Sequence, residues 1–137
     1  MIVFTNGCFD IIHAGHVKLL RECRRLANQL EFGFVYVGLN SDSSVKRLKG
    51  ESRPINDQET RKFILESLKF VDRVLIFDED TPERLIEELR PHILVKGGDY
   101  AIEQIVGKQY AKEVVVFPYV DGFSTTNIIS KASLSHR

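Results

Sequence analysis

Two histidines stand three residues apart, His13 and His16, with only Ala14 and Gly15 between them. At a helix start this spacing lets both imidazoles point to one side of the first turn. They follow Asn6-Gly7-Cys8-Phe9-Asp10, in which Gly7 lets backbone N–H groups approach a ligand, while Gly15 removes a side chain between the histidines. Two other chemistries fit the same residues. His16 continues the apolar stripe of Leu20 and Cys23, the position of a hydrogen-bonded core histidine. The pair could instead hold a metal with Asp10 or Asp42 as third ligand, although no Cys or third nearby His completes a firm set.

Three more segments could join them. Residues 44–53 carry Lys46, Arg47, Lys49 and Arg53 against the single acid Glu51. Taken alone this charge run is a solvated loop. Beside two histidines and a helix N-terminus it suits a triphosphate. Arg61 and Lys62 open the next helix, where the dipole opposes a cation, which hints at an anionic ligand. In Lys96-Gly97-Gly98-Asp99-Tyr100 the glycines permit close backbone contact and Asp99 can accept from a base or sugar, though a plain turn has the same composition. Ser124, Thr125 and Thr126 open a last helix, where hydroxyls and N–H groups make an anion site or simply a cap. Cys8 lacks an activating arrangement, so no protein nucleophile is evident. Neither GxGxxG nor GxxxxGK[ST] occurs, which disfavours a dinucleotide dehydrogenase or a P-loop NTPase.

The elements that must position these residues follow from the apolar pattern. Runs at residues 2–5, 34–39, 71–77, 92–95 and 114–118 are nearly continuous in Val, Ile, Leu and Phe, as strands covered on both faces are. Between the first two, Leu19, Leu20, Cys23, Leu26, Ala27 and Leu30 fall on one helical stripe. Further helices are expected over residues 57–68, from an N-cap at Thr81 followed by Pro82 and Glu83, and from residues 124–126 towards Ala132. This alternation predicts an α/β fold, a small Rossmann-like doubly wound parallel five-stranded sheet in the order 3-2-1-4-5. All four unusual segments then follow strands and open on one sheet edge, where such folds bind ligands.

The 137 residues suffice for one domain. Nineteen Lys and Arg balance nineteen Asp and Glu, unlike the basic surplus of a nucleic-acid binder. No run is long enough for a membrane helix, no signal peptide is evident, and two cysteines make no disulfide framework, so a cytoplasmic protein is expected.

His13-Ala14-Gly15-His16 matches the HxGH signature of the nucleotidylyltransferase superfamily, and Ser124-Thr125-Thr126 resembles its second signature. Residues 2–131 most resemble the heptose 1-phosphate adenylyltransferases, often fused to a kinase, through Thr5-Asn6-Gly7-Cys8-Phe9-Asp10, Asn40-Ser41-Asp42, Lys46-Arg47-Leu48-Lys49-Gly50 and Leu94-Val95-Lys96-Gly97-Gly98-Asp99-Tyr100. The resemblance implies one nucleotidylyltransferase domain that joins the adenylyl group of ATP to a sugar phosphate. His13, His16 and Lys49 or Lys46 would be catalytic. Asn6, Gly7, Cys8, Phe9, Gly15, Gly97, Gly98, Asp99, Ser124, Thr125 and Thr126 would bind nucleotide, and Arg53, Arg61 and Lys96 the acceptor phosphate. It further implies Mg²⁺ with the triphosphate, a homodimer and a separate sugar kinase upstream. Glycerol-phosphate cytidylyltransferases using CTP are the alternative. They usually carry Arg-Thr-Glu-Gly where this chain has Tyr119-Val120-Asp121-Gly122.

Overall fold

A computed structural model of the chain describes residues 1–98, 100–118 and 129. Within them, β1 (Ile2–Gly7), β2 (Phe34–Asn40), β3 (Arg73–Phe77), β4 (Ile93–Gly97) and β5 (Glu113–Phe117) form one sheet in the order β3-β2-β1-β4-β5. All four neighbouring pairs are parallel, as the alternating pattern predicts. Helix α1 (Ala14–Asn28) links β1 to β2, α2 (Asp42–Lys49) and α3 (Gln58–Glu66) link β2 to β3, and α4 (Glu83–Leu89) leads to β4. Ile129 is helical, while the rest of the expected last helix lies outside the described residues.

Burial on both faces accounts for the unbroken apolar runs. Val3, Val35 and Val95 pack with Cys23 and Ala27 of α1, and Val37 and Leu39 with Leu20 of α1 and Leu65 of α3. Phe4 and Leu94 point the other way, towards Ile86 of α4 and Ile105. The sheet tolerates no side chain at Gly38, where a Cβ would lie 2.6 Å from the fully buried Phe4 ring. Since β2 and β4 flank β1 on opposite sides, the strand order reverses there, and a crevice opens beyond the carboxyl ends of β1 and β4.

Two local expectations need correction. The charged run after β2 is helical over Asp42–Lys49 rather than a loop. Only Val45 and Leu48 are apolar in it, so it carries no readable period; its ends specify it instead. The Ser41 side chain accepts from Ser44 N at 3.2 Å, with Asp42 in the first turn and Lys46, Arg47 and Lys49 in the last, each charge suiting the dipole. In α4 the cap position is Pro82, with no side-chain cap bond, and not Thr81.

Candidate active site

The β1–α1 corner builds the centre of the site. Phe9 adopts the left-handed conformation (φ 47°) and turns its buried ring towards His16, 5.0 Å between centroids. His13 is the N-cap of α1, and its Nδ1 accepts from Gly15 N at 3.1 Å. His16, three residues on, reaches back so that its Nδ1 accepts from His13 N at 3.3 Å. The result is a capping box whose two members are histidines. Their rings stack 3.7 Å apart at an interplanar angle of 23°.

This geometry dictates the protonation state. A backbone N–H can only donate, so both Nδ1 atoms must present lone pairs, and each neutral imidazole carries its proton on Nε2. Burial lowers the pKa of His13, and burial together with the neighbouring His13 lowers that of His16 to about 4. At neutral pH both rings are therefore neutral Nε2–H donors. The core-histidine reading of His16 is half met: the ring is packed on Phe9 and hydrogen-bonded through one nitrogen, yet it also lines the crevice.

That crevice is a cavity of about 690 Å³, within the range of small-molecule sites. Asn6, Gly7, Cys8, Phe9, His13, Gly15, His16, Lys49, Arg53, Lys96, Gly97 and Gly98 all line it, so three of the four segments converge. Asp99, Ser124, Thr125 and Thr126 lie outside the described residues. Lys46 is exposed on α2 and absent from the lining, whereas Lys49 at the end of that helix reaches it. Leu19, Asn40, Leu48, Tyr100, Gln104, Ile105, Val106, Phe117 and Pro118 also contribute. Gln104, Ile105 and Val106 give no motif-like signal, because residues 101–112 have neither periodicity nor a charge cluster.

Lys49 and Arg53 from the β2–β3 connection and Lys96 from β4 bring three cations to the cavity lining. The Lys96 ammonium sits 5.0 Å from the centre of the Tyr100 ring, and burial pulls its pKa below the ordinary lysine value. Burial pushes the Cys8 thiol up against the opposing pull of Lys49, Arg61 and Arg53, which leaves it a poor nucleophile at neutral pH.

The two arginines expected at the acceptor phosphate part company. Arg61 is 0% exposed. Its guanidinium donates to Asn56 O (2.9 Å), Cys8 O (2.8 Å), Asn40 O (2.7 Å) and Asp42 Oδ1 (2.8 Å), and it does not line the cavity. Three carbonyls and a carboxylate, rather than an external anion, offset the helix dipole there. Arg53 donates from Nε to Asp10 Oδ2 at 2.9 Å and lines the cavity.

The metal alternative also changes. Asp10 accepts from Arg53 and from the backbone of Ile55 and Asn56, while Asp42 accepts from Arg61. Neither is directed to the histidines, and among the described residues no group of three His, Cys, Asp or Glu is gathered for an ion.

A doubly wound sheet with a cationic crevice at its switch point, lined by paired neutral imidazoles at a helix start, defines a Rossmann-like domain with a site suited to anions. The chain belongs to the cytidylyltransferase-like family, whose profile matches residues 4–131. It is 56% identical over 130 residues to the bifunctional protein HldE of Aliarcobacter butzleri, covering 95% of this chain and 26% of that protein. It is 49% identical over 135 residues to HldE of Helicobacter pylori, covering 98% of this chain and 28% of that one. The chain thus spans about a quarter of the length of these curated relatives. In structure it is similar to the lipopolysaccharide core biosynthesis protein of Thermoplasma volcanium, with a TM-score of 0.72 and 26% identity over 88% of this chain and 98% of that one.

Proposed function

We propose that this chain is a nucleotidyltransferase that transfers the adenylyl group of ATP to a sugar phosphate, heptose 1-phosphate, giving ADP-heptose and pyrophosphate. The observation that carries this reading is the stacked histidine pair, each Nδ1 tied to a backbone N–H, on the wall of a cavity that Lys49, Arg53 and Lys96 also line. The similarity to the HldE proteins supports the choice of sugar and nucleotide.

A phosphomonoester is largely dianionic above its second pKa near ~6. One of its oxygens attacks the α-phosphorus of ATP without needing a base. The new P–O bond forms, the bond to the bridging oxygen breaks, and pyrophosphate leaves with the electron pair. Catalysis is then positioning and stabilisation of negative charge on the equatorial and leaving oxygens. His13 and His16 donate from Nε2 to α- and β-phosphate oxygens. Lys49 bridges phosphates of the two reactants, and Lys96 supports the same charge. Gly7, Gly97 and Gly98 let backbone close around the nucleotide, with Tyr100, Ile105 and Val106 as apolar surface for the base. Asp99 and the hydroxyls of Ser124, Thr125 and Thr126 complete the nucleotide and leaving-phosphate contacts in this reading.

Mg²⁺ enters as MgATP. Asp10 is engaged by an arginine and two backbone N–H groups and Asp80 by Arg47, so the ion keeps its phosphate oxygens and waters, as Mg²⁺ commonly does. The acceptor must come from a sugar kinase, and a homodimer completes the reading. No helix among the described residues is long and apolar enough to cross a membrane.

A panel of ATP, CTP and GTP against heptose 1-phosphate and glycerol 3-phosphate, followed by pyrophosphate release, tests the proposal. Turnover with ATP and heptose 1-phosphate is expected. Turnover confined to CTP with glycerol 3-phosphate would replace it by the cytidylyltransferase alternative.

A further inference from the structure

We propose that Asp10 is a positioning residue that aims the Arg53 guanidinium at the phosphate of the acceptor, an inference that rests on the reading of the site as a nucleotidyltransferase centre. Asp10 is buried at the foot of the cavity wall. Its Oδ1 accepts from Ile55 N and Asn56 N at 2.9 Å each, and its Oδ2 from Arg53 Nε at 2.9 Å and Ile55 N at 2.8 Å. Its own carbonyl accepts from Asn56 Nδ2 at 3.1 Å. One side chain thus fixes both the arginine and the backbone that follows it. Burial alone would raise the Asp10 pKa, but the Asn56 and Ile55 N–H groups and Arg53 hold it below the ordinary carboxylate value, so the clamp is charged at neutral pH.

Arg53 is held by one edge only. Its side chain is 13% exposed, and among the described residues no hydrogen bond engages Nη1 or Nη2. Contrast Arg61, whose donors are spent on three carbonyls and Asp42. With Nε anchored, the Nη edge of a planar fork is presented to the cavity in one orientation, the arrangement that suits a phosphate dianion. Arg53 lies on the β2–β3 connection, against the β1–α1 corner, and Lys96 lies in β4 on the other side of β1 in the strand order, so the anion assigned to Arg53 is a second one beside the triphosphate.

Asp10→Asn separates aiming from folding. The asparagine oxygen still accepts the backbone N–H groups, but its NH2 faces Arg53 Nε donor to donor. Asp10→Asn should raise KM for the acceptor at least tenfold, leave KM for ATP within about twofold, and add less than about twofold to the acceptor KM of Arg53→Gln in the double variant. Equal losses for both substrates, additive losses, or no change in acceptor KM would overturn the inference. If Asp10→Asn does not fold by near-ultraviolet circular dichroism, Arg53→Lys replaces it. Its single ammonium cannot be held by Asp10 and also present a fork, so the same selective rise is expected, and wild-type kinetics would overturn the inference. Failure of the functional reading shows separately, as no pyrophosphate release by wild type. The pair is then read by calorimetric binding of heptose 1-phosphate and glycerol 3-phosphate. Weakening of either by Asp10→Asn supports the inference, and binding of neither to wild type, or unchanged binding, overturns it.

Discussion

The histidine pair links a local folding device to chemistry, because the bonds that cap α1 are the same bonds that set the tautomer. Each Nδ1 lone pair is consumed by a backbone N–H, and each Nε2 therefore carries a proton at neutral pH. Removing one such donor from a charge-developing centre typically costs 10²–10³ in rate, so His16→Ala should lower kcat at least ~100-fold; near-normal turnover would remove His16 from the reaction. The His16 pKa of about 4 has a second consequence. It lies below the ordinary value of about 6.5, so the unfolded chain binds the proton more readily than the native one. Stability conferred by neutral His16 is intact above about pH 6.5 and is lost as pH falls towards 4. Long-range ¹H–¹⁵N spectra should show the Nε2–H form at neutral pH and titration near 4, with Tm falling across that window. An Nδ1–H form, or titration near 6.5, would contradict the capping geometry. The HxGH spacing was readable in the sequence; the tautomer was not, because it depends on which backbone N–H each ring meets.

At the scale of elements, α2 and the Arg53-to-Asn56 loop are set against the β1–α1 corner by Arg61. That one guanidinium joins the carbonyl of Cys8, the end of β2 at Asn40, the first residue of α2 and the loop at Asn56. Breaking a buried, fully paired charge usually costs about 3–5 kcal/mol. Arg61→Ala should therefore lower Tm substantially, by denaturation monitored at equilibrium, while a variant as stable as wild type would show that the four bonds contribute little. Helix α2 also decides between two lysines. Lys49 reaches the cavity and Lys46 does not, so Lys49→Ala should reduce kcat/KM more than Lys46→Ala; the reverse order would misplace the helix. The sequence misleads here for a physical reason. A dipole-compatible, Ser-capped helix of eight residues with two apolar positions looks like a charged loop, and an arginine at a helix start looks like an anion site until its carbonyl partners are seen.

For the whole molecule, strand number, parallel pairing and order were legible, since buried parallel strands read as unbroken apolar runs and short connections leave few topologies. The convergence of the segments after β1, β2 and β4 followed from that order alone. What could not be read was the apolar lining at Ile105 and Val106, which depends on an irregular segment folding back so that Ile105 packs with Ile86. The balance of nineteen positive and nineteen negative residues likewise hides a cavity lined by Lys49, Arg53 and Lys96, in which the lining acids Asp10 and Asp80 are paired with Arg53 and Arg47. All of this converges on one chemical event at one phosphorus atom. A single turnover of ATP labelled at the α-phosphorus, with Mg²⁺ and heptose 1-phosphate, followed by separation of products, tests it most directly. The label is expected in ADP-heptose, formed together with unlabelled pyrophosphate. Label recovered as AMP, or ATP left unconsumed, would contradict adenylyl transfer at this site.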